Sequence, residues 1–155
     1  MRTLAYVAAS AALIFCFGTG CGGGGEEDLP DADGPPTVNL CDEAVNHSDL
    51  AWIQTNIFTK SCALSASCHT GDATAAGGLS LDEGMAEANL IDQPSDLFPD
   101  WKLVVPGDSS MSYITVILTG ESAGPIDPDI GTMPYNSGQL CPEKVDAIAR
   151  WIDTL

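Results

Sequence analysis

The chain has 155 residues, with 22 acidic against 5 basic side chains and a formal net charge of -17. A field of that sign excludes nucleic acid and anionic lipid headgroups as electrostatic partners and leaves either a basic protein partner or none. Apolar residues make up 45% of the sequence, but the first twenty are almost all apolar or small, so what remains supports one modest domain.

Residues 1–20 begin with Arg2, continue through an apolar stretch from Leu4 to Phe17, and end in Gly18-Thr19-Gly20 before Cys21. That layout predicts a bacterial lipoprotein signal with acylation at Cys21, since the stretch is too short and wrongly flanked for a spanning helix. Losing the single positive charge of Arg2 takes the net charge from -17 to -18. Gly22 to Gly25 and the acidic, Pro-rich residues that follow have almost nothing to bury, so 21–38 is predicted to be a disordered tether. Residues 39–155 are then the folded domain of an exported protein, periplasmic or at the cell surface, held to the membrane through its lipid.

Within the domain, Asp49 is a predicted N-cap for a helix through Leu50, Trp52, Ile53, Ile57 and Phe58, which delivers the chain to Cys62. His47, just before it, is expected to be solvated. A short helix is predicted over 82–90, with Gly84 against it. Residues 94–106 read as irregular. A turn at 106–110 leads into a helix carrying Met111, Tyr113, Ile114, Ile117 and Leu118, closed by Gly120. Met85 and Met111 fall on apolar faces and are expected in the core. Residues 121–138 form a Gly- and Pro-rich loop that carries Met133. The last helix has Cys141 as cap, Pro142 at its first position, and Val145, Ile148, Ala149 and Ile152 as one apolar stripe.

Four cysteines belong to the domain: Cys41, Cys62, Cys68 and Cys141. An even number suits an oxidising compartment. Cys68-His69 behind a second cysteine is how a chain attaches haem covalently and offers an imidazole to its iron, and Met133 can supply the opposite ligand. Two partitions are open. Either Cys62 and Cys68 attach haem while Cys41 pairs with Cys141, or Cys62 pairs with Cys68 as well and the chain is a haem-free, disulfide-stapled surface lipoprotein that acts as a binding or structural module. Five residues separate Cys62 from Cys68, and Ser65 stands where the first cysteine of the usual run would be. Cysteines three apart share one turn of a helix, whereas six apart they face differently, so 62–68 must loop out for both to reach one ring. The cysteines and histidines lack the short paired spacings of a zinc site. No nucleophile motif, phosphate loop or carboxylate pair is present, so no enzyme activity is expected.

Several blocks follow in order: Ile57 to His69; Gly77-Gly78-Leu79-Ser80-Leu81-Asp82; Val105-Pro106-Gly107-Asp108 with Ser112-Tyr113-Ile114; Met133-Pro134; and Ile148-Ala149-Arg150-Trp151-Ile152. Together they resemble the secreted cytochrome c-like domains of planctomycete and myxobacterial type. The resemblance implies an all-α cytochrome c-like fold whose first and last helices cross, and one covalent haem c held by Cys68 alone or by Cys68 and Cys62, since Ser65 cannot form a thioether. It also implies iron ligated by His69 and Met133, and electron transfer to a redox partner protein.

Overall fold

The computed structural model describes residues 39–120 and 124–155. The predicted signal, the acylation at Cys21 and the tether lie outside the described residues. Five α-helices carry the fold: α1 (Leu40–Ala44), α2 (Leu50–Ile53), α3 (Ala86–Leu90), α4 (Tyr113–Thr119) and α5 (Pro142–Asp153). Among the described residues β structure is confined to isolated bridges, such as Ile91 with Val104. The fold is therefore mostly α, with long connections.

Helix α2 starts where Asp49 caps it, its carboxylate accepting the Trp52 N–H at 2.8 Å, as an N-cap acid should. The helix then widens to π-helical geometry from Gln54 to Cys62. Thr55 and Asn56 give a local cause. Their side chains donate to the carbonyls of Ala51 and Trp52, four residues back, and oxygens shared in this way loosen the regular ladder. The buried Gln54 amide donates to the Leu81 carbonyl at 2.8 Å, tying this helix to the segment before α3.

Helix α5 is the frame. Val145, Ala147, Ile148, Trp151 and Ile152 are buried, and the helix packs on α1, α2 and α4. Ile53, Ile57, Phe58, Leu90, Val104, Ile114 and Leu118 complete the core around it. Helix α4 ends at Gly120, whose φ of +66° is left-handed and whose missing Cβ leaves room for Thr132. That close approach seats the 124–138 loop, and the Met133 N–H donates to the Ile117 carbonyl at 2.8 Å.

Several expectations need correction. Helix α1 has no counterpart in the sequence reading, although Asn39 caps it and Asp42 and Glu43 occupy its first turn. The 82–90 helix shrinks to α3 because Gly84 sits at φ +79°, outside helical geometry. Met85 and Met111 are not core: Met85 stands in a turn just ahead of α3 and Met111 ends a 3-10 helix (Ser109–Met111) just ahead of α4, 45% and 51% exposed. His47 is not simply solvated. Its ring stacks on Trp52 at 4.3 Å and its Nδ1 meets Asp49 at 3.0 Å.

Two links fasten α1 to α5. Cys41 is disulfide-bonded to Cys141, 100 residues away, as both cysteine partitions require. Arg150 donates to the Ala44 carbonyl at 2.6 Å and the His47 carbonyl at 2.9 Å. A crosslink closing so long a loop restricts the unfolded chain, an effect of about 2–5 kcal/mol. Replacing Cys41 and Cys141 together with Ala should lower the unfolding free energy by about that amount in urea titrations, and an unchanged midpoint would contradict the assigned role.

Candidate functional site

The π-helical turn ends at Cys62, and residues 63–68 then loop outward before the chain returns at His69. The His69 N–H donates to the Cys62 carbonyl at 3.0 Å and closes the loop. Below it, the Asp82 carboxylate accepts from Thr70, the Gly71 N–H and Ser80, bracing 70–82 under the histidine. Those hydrogen bonds hold the Asp82 carboxyl below its ordinary pKa.

These segments enclose a cavity of about 490 Å³, within the range of small-molecule sites. Phe58, Leu90, Leu103, Ile114, Ile117 and Ile148 make its walls apolar. Cys62, Cys68, His69, Met133 and Tyr113 also line it. The cavity thus brings together four residues that the sequence singled out from two stretches more than sixty positions apart. Cys41 and Cys141 lie elsewhere, in the α1–α5 clamp. They form, with Glu143, the single cluster of Cys, His and acidic side chains among the described residues dense enough to suggest a metal. Its two sulfurs are spent on the disulfide.

His69 is held in one protonation form. Its Nδ1 lies 2.9 Å from the Leu79 carbonyl, which can only accept, so Nδ1 carries the hydrogen and Nε2 keeps its lone pair. Burial pushes the ring's pKa below its ordinary value, against the opposing pull of that hydrogen bond. The backbone is pinned too, the Leu81 N–H donating to the His69 carbonyl at 2.8 Å. Gly77 completes this wall: at φ +64° a Cβ would meet the Asp96 carboxylate at 2.9 Å.

The cysteines depart from both partitions, because the Cys68 sulfur that one gives to haem and the other to Cys62 is in a disulfide while Cys62 is free. Cys62 carries a free thiol, so the Cys62 to Cys68 disulfide of the haem-free partition does not form. The Cys68 sulfur is already in a disulfide of its own, one that does not involve Cys62. Burial pushes the Cys62 thiol up to about 12, so it stays protonated near neutrality. Cys68 is buried and disulfide-bonded, and its sulfur lies 3.2 Å from the Ser65 hydroxyl. Ser65, at the place of the usual first cysteine, is exposed.

Sequence reasoning gave Tyr113 no role at the site. It is 2% exposed, lines the cavity, and its hydroxyl is buried without a hydrogen-bond partner. Only its place in the apolar repeat of α4 was visible in the sequence, and that pattern says core rather than site. Comparisons with protein-family models, with curated proteins and with solved structures find no match for this chain.

The neutral imidazole has a consequence for stability. With its folded-state pKa lowered, His69 takes up a proton later than it does in the unfolded chain, so it contributes stability above about pH 6.5 that is lost as pH falls toward the folded-state value. Asp49, Asp82 and Asp108, all lowered chiefly by side-chain hydrogen bonds, add a separate loss below about pH 4. Denaturant titrations across pH should show both losses, with His69→Gln removing only the upper one. A wild-type curve flat between pH 6.5 and 5 would contradict the lowered pKa.

Proposed function

We propose that the cavity holds one haem, whose iron His69 and Met133 would hold, in an exported, lipid-anchored cytochrome c-like domain that carries electrons. The observation that carries this reading is chemical. One apolar cavity is lined by an imidazole with a free Nε2 lone pair, by a thioether and by a thiol.

The donor set fits the group. Iron in haem takes imidazole and thioether readily, and a metal-bound imidazole commonly gives its other N–H to a carbonyl, the part Leu79 plays for His69. When bound, haem supplies reversible one-electron chemistry at iron, which the chain lacks on its own. Each residue then has a definite task. Leu79 holds the His69 ring in one tautomer and raises its basicity. Met133 offers a soft sulfur, which favours the reduced iron. Phe58, Ile114 and Ile148 exclude water from the cavity. Cys62, the free thiol on the cavity wall, would hold the ring covalently.

The strongly acidic chain points to a basic redox partner, attracted over a distance and less so in salt. Anchorage through Cys21 would keep that exchange at a membrane surface. The acidic side chains around such a site also favour the oxidised iron, opposing the effect of the thioether.

Protein made in a host with haem-attachment machinery should be red and keep its absorbance after denaturation. Its peptide map should place the haem mass on Cys62. Met133→Ala should retain the haem but lower its reduction potential, whereas His69→Ala should abolish stable incorporation. Colourless wild-type protein from that host would overturn the proposal.

A further inference from the structure

Buried hydroxyls without partners are uncommon, and each calls for an explanation. Tyr113 has one, on the wall of the cavity. Its ring is fixed in place: Phe98 packs against it at 5.6 Å, Trp101 meets it edge-on at 6.5 Å, and its N–H donates to the Lys102 carbonyl at 2.9 Å. The hydroxyl therefore cannot swing away to find water without disrupting an aromatic cluster.

Neighbouring acceptors do not relieve it. The Asp127 carboxylate takes the N–H groups of Asp129 at 2.9 Å and Ile130 at 3.3 Å. On the wall itself the Asn89 and Gln93 amide nitrogens donate to the Ser80 and Ile91 carbonyls, and neither side chain pairs with the hydroxyl. Among the described residues that line the cavity there is no Lys or Arg. An acidic ligand entering here meets no fixed positive charge, and Tyr113 stands out as a rigid donor with nothing to donate to. Burial and the charge of Asp127 raise the phenol's pKa, so the group keeps its hydrogen at neutral pH.

We propose that the Tyr113 hydroxyl is the fixed donor for a carboxylate on the cavity's ligand. This rests on the haem reading above, in which the acceptor is one of the macrocycle's side-chain carboxylates. The hydrogen bond would orient the ligand in the cavity, adding a fixed polar contact on the Tyr113 wall to those that His69, Met133 and Cys62 would make. It also partly neutralises a carboxylate that no cation offsets, so Tyr113 positions the ligand and takes no part in electron transfer.

Full-length chain made without attachment machinery, titrated with ferric haem, tests this. Tyr113→Phe should weaken binding about tenfold or more, the loss expected for a hydrogen bond to a charged acceptor. The ligand-free variant should melt at the wild-type temperature or above it, because the change removes an unsatisfied buried hydroxyl. Equal dissociation constants in the two proteins would overturn the role of Tyr113 while leaving the haem reading intact. A ligand-free variant that melts lower and binds more weakly would also overturn it, by making the tyrosine merely structural. Wild-type chain that takes up no haem would overturn both readings.

Discussion

The fold depends on the fastening of its two ends. Helix α1 is only five residues long, far below the length at which a helix holds its shape alone in water. It persists because Cys141 bonds to Cys41 and because Arg150 reaches across to the Ala44 and His47 carbonyls. The guanidinium satisfies oxygens at the end of α1 that have no partner within the helix. With the ends joined, α5 presents a continuous apolar stripe, and Phe58, Ile114 and Ile148 meet in a core that the remaining chain can only wrap around. The loops bearing the cavity are therefore suspended from a small rigid frame. Helix–helix contacts alone do not make that frame.

Within the wrapping, polar contacts fix the site. The hydrogen bond between His69 and Leu79 decides which ring nitrogen keeps a lone pair. The Asp82 cluster holds the chain from 70 to 82 in position behind it. Across the cavity, the backbone bond from Met133 to Ile117 ties the methionine loop to α4. Both prospective ligands are thus placed by backbone geometry, which is a stiffer support than side-chain packing alone.

Much of this was legible in residue order. Cys68-His69 and Met133-Pro134 pointed to one site, and the structure brings them to one cavity. Asp49, Cys141 with Pro142, and Gly120 marked helix ends correctly, because caps and breakers act locally. What was missed depends on distant chain. Helix α1 is too short to show a period and is held by groups about a hundred residues away. Met85 and Met111 match a helical apolar pattern, but each falls just ahead of its helix and faces solvent. The π-helical widening after Ile53, which sets where Cys62 faces, comes from side chains competing for backbone oxygens, and a spacing rule for regular helices does not foresee it. The unpartnered hydroxyl of Tyr113 could be found only with the cavity in view.

The central claim is that an iron atom in this cavity is bound by His69 on one side and the sulfur of Met133 on the other. A proton NMR spectrum of the reduced, haem-loaded chain tests it most directly, since a methionine methyl held over the face of a macrocycle lies in its ring current. The account predicts that the Met133 methyl resonance moves far upfield of the ordinary methionine region and disappears in Met133→Ala. A Met133 methyl at its ordinary position in a chain that has taken up haem would contradict it.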